Sequence, residues 1–365
     1  MKSARAHGKI CLIALDNKRN TDLTAVSSLI SSLAKRGYYC DKISKVAFNR
    51  SEDIVNAFEE GIKNYDNIII LCPLSMQNTI GDFFCSRLGS SFDALGVMNG
   101  IDTTVFMLFD NCENRLKTDD IKKILDGKYN LKYESTVVRA VGAPKKLLEE
   151  ALKKASKLFP DGGAFFNVTN VYDDIRIEIV YDSATPKISL DEGVREIVKI
   201  LSDYIYALED ITLAEQLIRL LKLRRMKICT AESFTGGGVG KKLVSVSGAS
   251  EVYCEGLNTY SNSSKTARLG VSELTLSQRG AVSAETAYQM AEGLYDGKTC
   301  NVAVSTTGIA GPKSDNTSKP VGLAFIGVGV DGDISVYKFN FHGDRKTITE
   351  TAINHALFLT YKKLK

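Results

Sequence analysis

The segment MKICTAESFTGGGVG, residues 226–240, decides the fold of the C-terminal part of the chain. Its first five residues are typical of a buried strand, small hydroxyl residues and three glycines follow, and a helix is predicted from about Val239. A strand that passes through a glycine-rich loop into a helix brings backbone N–H groups and the positive helix end to one point. The segment therefore predicts an α/β unit with an oxyanion or phosphate site near Ser233. A plain glycine-rich turn with Ser233 as a helix cap is the alternative.

The rest of the C-terminal sequence continues this alternation of strands and helices. Thr212 and Glu215 form a predicted capping box at the start of the helix that precedes the segment. The later elements are predicted as strands at 252–260 and 300–308, helices at 262–270 and 284–295, a hairpin that turns at Asp331–Gly332, and a final helix. This pattern predicts a C-terminal α/β/α domain over residues 212–365.

The first part of the chain, residues 1–132, predicts a doubly wound α/β domain with a mostly parallel sheet, in which Ser51 is the N-cap of the second helix. Such sheets bind ligands at the carboxyl ends of their strands. The segments that follow the first and third strands, DNKRNTD (16–22) and CPLSMQNTIGD (72–82), contain no glycine-rich phosphate loop. A structural or regulatory role is therefore the interpretation of this domain.

Residues 133–211 predict a small α+β module in the order strand, helix, strand, strand, helix, with the closing helix over 189–208. The order is similar to that of a KH module, which binds RNA. No GXXG clamp lies between paired helices, so no nucleic-acid partner is expected.

The composition is that of a soluble globular protein. The 365 residues are 44% hydrophobic and 25% charged. No apolar stretch reaches the roughly 18 residues of a membrane span, and the N-terminal apolar run is too short for a secretory signal, so a cytoplasmic location is expected. The eight cysteines are scattered without a CxxC pair, which argues against zinc and redox motifs. We predict that they are small core residues.

Charge and histidine content narrow the chemistry of the C-terminal domain. Residues 213–365 contain 19 Lys and Arg against 13 Asp and Glu, which suits an anionic small ligand, although a solvated surface explains the same count. The histidines are His7 in the N-terminal tail, His342 late in a strand and His355 on the final helix. A Ser–His–Asp hydrolase is therefore not expected, and a nucleophilic serine here would use another base.

A lysine follows the second strand of this domain. In NTYSNSSKTARLG, residues 258–270, a strand ends at Tyr260 and a helix begins near Asn262, which places Lys265 in the first turn. Parallel neighbouring strands would bring Ser233 and Lys265 to the same edge of the sheet. Burial and nearby helix N-termini would lower the pKa of this lysine, as a neutral base requires, whereas taken alone it would be a surface lysine.

Further polar residues follow the third strand and begin the last helix. VSTTGIAGP (304–312) again joins a strand to hydroxyl and glycine residues, and Arg345 in HGDRKT (342–347) is placed to bind a phosphate or to remain solvated. Together the motifs of residues 212–365 resemble, in the correct order, the C-terminal domain of the CinA (competence/damage-inducible) family. They are TAESFTGG (230–237), TYSNSSK (259–265), GAVSAETAYQMAEG (280–293), TGIAGP (307–312), KPVG (319–322) and GDR (343–345).

The resemblance implies an amidohydrolase that converts nicotinamide mononucleotide to nicotinate mononucleotide and ammonia, with no metal and no cofactor. It assigns Ser233 as the nucleophile, Lys265 as its general base, and Tyr260 as a hydroxyl that positions or relays the proton. Backbone N–H groups in the glycine-rich loop would stabilise the oxyanion. The residues implied to line the substrate site are Thr235, Gly236, Gly237, Thr307, Gly308 and Arg345, the last toward the phosphate.

The upstream segments resemble the other parts of that family, a molybdopterin-cofactor-binding-like α/β domain and a KH-like module. Two departures stand out. Phe234 replaces the family's usual cysteine and is expected to point into packing. PLSMQNTIGD (73–82) replaces a GGLGPT-like stretch with paired aspartates, so the metal-dependent ADP-ribose pyrophosphatase activity of some members is not expected.

That pyrophosphatase activity and a non-enzymatic binding role in DNA uptake or repair remain the alternative functions. A homo-oligomer, in the simplest case a dimer, is expected.

Overall fold

The computed structural model describes residues 8–16, 23–34, 36–47, 49–109, 116–129, 133–159, 163–182, 185–295, 300–313 and 318–365. These ranges contain both strands and helices. Their bounds in chain order are β1 Ile10–Asp16, α1 Leu23–Ala34, β2 Cys40–Ala47, α2 Ser51–Asn64, β3 Asn67–Cys72, α3 Gln77–Leu88, β4 Val97–Asn99, β5 Thr104–Phe109, α4 Thr118–Tyr129, β6 Tyr133–Val141, α5 Lys145–Ser156, β7 Ala164–Val171, β8 Asp174–Asp182, α6 Lys187–Leu201, β9 Ile205–Ala207, α7 Leu213–Arg224, β10 Ile228–Glu232, α8 Gly238–Val244, β11 Tyr253–Asn258, α9 Asn262–Leu269, α10 Glu273–Gln278, α11 Ala284–Glu292, β12 Val302–Gly308, β13 Leu323–Val330, β14 Asp333–Asn340 and α12 Arg345–Leu364.

The described strands form three sheets. The first has the order β2-β1-β3-β5-β4, in which only β4 runs antiparallel to its neighbour. The second has the order β11-β10-β12-β13-β14. Strands β10, β11 and β12 run parallel, β13 runs antiparallel to β12, and β14 runs antiparallel to β13. The third has the order β7-β8-β6-β9. The predicted α/β class is therefore confirmed.

The chain divides into two compact units. One comprises residues 1–135, 156–167 and 179–193, and the other comprises 136–155, 168–178 and 194–365. None of the helices in the described ranges has both the length and the apolar character that a membrane span requires.

The first sheet is apolar on both faces because helices cover both. In β3 every residue is buried, with Ile69 and Leu71 in the apolar cluster on one face and Ile68 and Ile70 in the cluster on the other. The predicted helix cap of this unit is wrong. Ser51 is the first residue of α2, and its N-cap is Arg50, which makes no side-chain cap hydrogen bond.

The closing helix predicted over 189–208 is also wrong at its end. Helix α6 stops at Leu201, and the chain returns as β9, which pairs antiparallel with β6. The side chain of Tyr206 is buried in this strand, and its hydroxyl group bonds to Arg139 and Asp174. Over so few residues helical and strand patterns look alike, so tertiary pairing decides the structure.

The second sheet lies between two helical layers. Helices α7, α8 and α12 pack on one face and α9 and α11 on the other, each around an apolar cluster. The capping box predicted at Thr212 and Glu215 is present, since the threonine hydroxyl accepts from the Glu215 amide and the Glu215 carboxylate accepts from the Thr212 amide. The arrangement confirms the predicted α/β/α sequence of elements in this part of the chain.

The cysteines are less uniform than predicted. Cys11, Cys72 and Cys229 are buried core residues, but Cys85 and Cys254 are exposed. The prediction that all are core residues is therefore wrong for these two, and Cys112 lies outside the described residues. Among the described side chains, no group of three or more His, Cys, Asp and Glu residues is arranged to hold a metal ion.

Gly322 and Gly332 provide a matched test of backbone packing beside the second sheet. Both have positive φ, +92° and +88°, but a Cβ at Gly322 would overlap the backbone carbonyl of Phe341, whereas a Cβ at Gly332 would have no neighbour within 4 Å. We expect Gly332→Ala to lower the free energy of unfolding by about 1 kcal/mol and Gly322→Ala to lower it by more than about 2 kcal/mol. Urea unfolding followed by circular dichroism measures both, and equal losses would contradict the packing argument.

Candidate functional site

Ser233 is the first residue after β10, at the carboxyl edge of the second sheet. Its amide donates to the carbonyl of Thr306 in β12 at 3.0 Å, and the amide of Thr259, just after β11, donates to the carbonyl of Glu232 at 2.8 Å. The parallel strands on both sides therefore fix the backbone on which Ser233 sits. The residue is buried, with 8% of its surface exposed.

Helix α9 begins beside this strand end. The hydroxyl group of Ser261 accepts a hydrogen bond from the Ser264 amide and so forms the N-cap. This cap fixes the first turn, and Lys265 lies on the side of the helix that faces the sheet. Only 1% of the Lys265 surface is exposed, which overturns the alternative of a surface lysine.

The Lys265 amine lies between three oxygen atoms. Its Nζ is 3.0 Å from Ser233 Oγ, 2.8 Å from the carbonyl oxygen of Thr259 and 3.1 Å from the carbonyl oxygen of Tyr260. A neutral amine has two N–H groups and one lone pair. When the two N–H groups donate to the two carbonyls, the lone pair is directed at the serine hydroxyl.

Burial controls the protonation of this amine. Removal from water disfavours the charged form and lowers the pKa of Lys265 from 10.5 to about 8. Loss of solvation is the cause of this shift in the pKa of Lys265. A substantial fraction of the lysine is therefore neutral near pH 8.

The residues that follow Ser233 form a tight turn, called here the Ser233 loop (residues 233–237). Gly236 and Gly237 have φ values of +61° and +88°, a conformation that favours glycine. The N-cap of α8 is Gly237, so Ser233 is not the helix cap. Within the described part of the chain, the backbone N–H groups of Phe234, Thr235 and Gly237 have no hydrogen-bond acceptor. The loop thus presents free donors beside a serine hydroxyl.

Two residues of the site were not assigned from the sequence. The buried carboxylate of Glu232 accepts hydrogen bonds from the Thr235 hydroxyl at 2.7 Å and from the amides of Val239 and Gly240 at 3.0 and 2.8 Å. The hydroxyl of Thr306 is 2.6 Å from that of Thr235. The available signal was an acidic residue at the end of an otherwise uncharged strand, directly before the serine.

Tyr260 and Arg345 lie together beside the site. Arg345, the first residue of α12, donates from Nη2 to the Tyr260 hydroxyl at 3.3 Å and from Nη1 to the carbonyl of Gly311 at 2.8 Å. The Tyr260 side chain is 64% exposed. Tyr260 contacts Lys265 through its backbone carbonyl, not through its hydroxyl. The Tyr260 hydroxyl is paired with Arg345.

Thr307 and Gly308, predicted to line a substrate site, lie at the end of β12. The Thr307 hydroxyl donates to the carbonyl of Ala281 at 2.7 Å. Gly308 has no room for a side chain, because a Cβ there would be 3.0 Å from Phe234 Cε1. Phe234 is 6% exposed within the apolar cluster, which confirms that this residue points into packing.

Neither of the two described histidines, His342 and His355, contacts Ser233 or Lys265. His355 of α12 contacts Asp173 at 3.0 Å through Nε2 and packs against Phe339 and Phe341. His342 is exposed, and His7 lies outside the described residues. The basic side chain in contact with the Ser233 hydroxyl is that of Lys265.

Away from Ser233, a cavity of about 540 Å³ opens at the carboxyl ends of β3 and β5 in the first sheet. Asp82 and Asp93 line it, with the amide side chains of Gln77 and Asn78. No lysine or arginine among the described residues lines this cavity. Cationic side chains commonly bind a pyrophosphate, and the described lining of the cavity contributes none.

Comparison with known proteins gives a consistent result. A family model described as the CinA C-terminal domain matches residues 210–364. A competence-damage inducible protein of Caldicellulosiruptor saccharolyticus is 38% identical over 234 residues, 64% of this chain and 57% of that relative, so the chain spans little more than half of its length. A CinA-like protein of Kosmotoga olearia is 44% identical over 163 residues, 45% of this chain and 40% of the relative.

Solved structures also match part of the chain. The competence/damage inducible protein CihA of Agrobacterium tumefaciens is 36% identical, with 40% of this chain and 90% of that chain covered and a TM-score of 0.39. A CinA superfamily protein of Enterobacter cloacae is 30% identical, with 44% and 96% covered and a TM-score of 0.41. On these sequence matches, residues 210–364 belong to the CinA C-terminal domain family.

Proposed function

We propose that the chain is a nicotinamide-nucleotide amidase that hydrolyses nicotinamide mononucleotide to nicotinate mononucleotide and ammonia. The observation that carries the proposal is the contact of the buried Lys265 amine with the Ser233 hydroxyl. A serine becomes a nucleophile when an adjacent base takes its proton, and a desolvated lysine is one such base.

In the first half of the proposed reaction, Ser233 Oγ attacks the carboxamide carbon while its proton passes to Lys265 Nζ. The carboxamide oxygen becomes an oxyanion, and the free backbone N–H groups of the Ser233 loop are available to stabilise it. The C–N bond then breaks, and Lys265 returns the proton to the departing nitrogen, so that ammonia leaves and an acyl-enzyme remains.

In the second half, water attacks the acyl-enzyme. Neutral Lys265 accepts a proton from this water, hydroxide adds to the acyl carbon, and the bond to Ser233 Oγ breaks. The serine regains its proton from the lysine, and nicotinate mononucleotide is released. The carbonyls of Thr259 and Tyr260 hold the amine in place throughout, since both accept its N–H groups.

Arg345 is proposed to bind the substrate phosphate. Its guanidinium group contacts the Tyr260 hydroxyl, which places a fixed cation beside the residues that hold Lys265. Guanidinium groups bind phosphate through paired hydrogen bonds. The net positive charge of residues 213–365 agrees with an anionic substrate.

The names of the relatives refer to competence and damage, and a non-enzymatic binding role is the main alternative. The burial of Lys265 weighs against it. Burial of an amine without a carboxylate partner costs stability, and a surface that only binds a partner has no need of it. The described lining of the cavity at the carboxyl ends of β3 and β5 likewise contributes no cation for the pyrophosphatase alternative.

Ser233→Ala tests the proposed function directly. We expect wild-type protein to release ammonia from nicotinamide mononucleotide and the variant to release it at least about 1000-fold more slowly, because the nucleophile is lost. A coupled glutamate dehydrogenase assay measures ammonia, and mass spectrometry identifies the nucleotide product. Undiminished release by the variant would exclude the proposed mechanism.

The pKa of Lys265 predicts the pH dependence. The neutral amine is the active form, so kcat/KM rises with pH up to about 8, where half of the lysine is neutral, and levels off above it. Rates measured from about pH 6 to pH 9.5 should rise about tenfold per unit on the acid side. A flat profile would show that no group with this pKa acts as the base.

Substitution of Lys265 by arginine distinguishes a role as proton acceptor from a role as positive charge. Lys265→Arg should abolish turnover at every pH, because a guanidinium group stays protonated. Lys227→Arg, at an exposed lysine before the opposite end of β10, is the control and should retain wild-type rates.

Arg345→Gln tests phosphate binding. A hydrogen bond to a charged group contributes about 1.5–3 kcal/mol, so kcat/KM for nicotinamide mononucleotide should fall about 10- to 100-fold. Nicotinamide riboside lacks the phosphate, and its turnover should be nearly the same in wild type and variant. Arg268→Gln, at an exposed arginine late in α9, is the matched control. Equal losses for both substrates would place Arg345 in a structural role.

A further inference from the structure

We propose that Glu232 is a positioning residue of the proposed amidase site: its carboxylate fixes the Ser233 loop without contacting the substrate. This inference rests on the proposed function. The side chain is 2% exposed and lies directly before Ser233 at the end of β10. None of the contacts described for it reaches Ser233 Oγ or Lys265 Nζ, so it is not the base.

The Glu232 carboxylate links the Ser233 loop to the first turn of α8. Oε2 accepts from the Thr235 hydroxyl, inside the loop, and from the Val239 amide, while Oε1 accepts from the Gly240 amide. A group at the end of β10 therefore holds both the loop and the first turn of α8. Three donors satisfy the carboxylate, as a buried anion requires.

The loop has few other attachments. Its internal hydrogen bonds run from the Gly236 amide to the Ser233 carbonyl at 3.1 Å and from the Gly238 amide to the Thr235 carbonyl at 3.0 Å. A Cβ built at Gly236 would have no neighbour within 4 Å, so packing does not restrain that residue. The Thr235 hydroxyl, held by Glu232 and Thr306, therefore acts together with the packing of Phe234 to set the loop amides relative to Ser233.

Glu232→Gln preserves the shape of the side chain but removes one acceptor. Whichever way the amide is oriented, its NH₂ group faces at least one N–H or O–H donor, and a hydrogen bond of the loop or of α8 is lost. A displacement of about 1 Å in reacting groups can cost about 100-fold in rate, so we expect kcat to fall at least about 30-fold. KM should change little, and the pH profile should keep its inflection, because Lys265 and Arg345 are untouched.

A second readout does not depend on turnover. Phenylmethanesulfonyl fluoride labels an activated serine: the Oγ–S bond forms, fluoride leaves, and the serine proton passes to Lys265. Intact-mass spectrometry gives the labelling rate, and Ser233→Ala should remain unlabelled. We expect Glu232→Gln to slow labelling by a factor similar to its effect on kcat.

Glu178→Gln is the matched control, since Glu178 is also buried, with 8% exposed, and pairs with Arg176 in β8. It should lower the thermal midpoint without changing kcat or the labelling rate. Thr235→Val removes the hydroxyl that Glu232 holds, and Thr235→Ser retains it. The valine variant should therefore resemble Glu232→Gln, the serine variant should retain clearly more kcat and a faster labelling rate than the valine variant, and the double variant Glu232→Gln/Thr235→Val should lose no more than the worse single variant.

The outcomes separate this inference from the proposed function. If the wild type labels at Ser233 but releases no ammonia, the proposed substrate is wrong, while the labelling ratios still test Glu232. Wild-type kcat and labelling in a folded Glu232→Gln variant would overturn the inference, as would additive losses in the double variant. If Glu232→Gln does not fold, the comparison of Thr235→Val with Thr235→Ser tests the inference instead. Equal activity of these two variants would overturn the inference. Absence of labelling in the wild type would also overturn it.

Discussion

The site depends on one interaction, a lysine amine removed from water and held between two backbone carbonyls. Burial lowers the pKa of Lys265 to about 8. The carbonyls of Thr259 and Tyr260 accept the two N–H groups of the neutral amine, so its lone pair is directed at Ser233. Because both carbonyls belong to the turn between β11 and α9, the backbone determines the position of the Lys265 amine. Side-chain substitutions on that turn would leave these acceptors in place.

The surrounding fold serves this interaction in two ways. The parallel strands β10, β11 and β12 end at one edge of the sheet, so residues distant in the sequence meet there. The helical layers on both faces exclude water from the strand ends and thereby produce the desolvation on which the lysine depends. Core stability and the protonation state of Lys265 are therefore linked, since loosening of either layer would admit water to the amine.

The sequence was sufficient to predict the meeting of Ser233 and Lys265. This meeting requires only that the two strands are parallel neighbours and that a helix starts soon after the second strand. Both features follow from hydrophobic periodicity. The same reasoning did not reveal Glu232, because periodicity does not distinguish a buried acid with three donors from a solvated one. It also did not show that Tyr260 reaches Lys265 through its carbonyl, since backbone contacts leave no trace in residue identity. The errors at Ser51 and at the end of α6 arose at element boundaries, where tertiary pairing outweighs local preference.

The hairpin of β13 and β14 has a practical consequence. Gly308, at the carboxyl end of β12, pairs with Ala324 near the start of β13, while Val302 at the amino end of β12 pairs with Val330. The turn at Asp331 and Gly332 therefore lies at the edge of the sheet opposite Ser233. A peptide tag, a fluorophore or a surface tether inserted at this turn would sit one strand length away from the reacting groups, so the molecule can be immobilised or observed there without obstruction of its site.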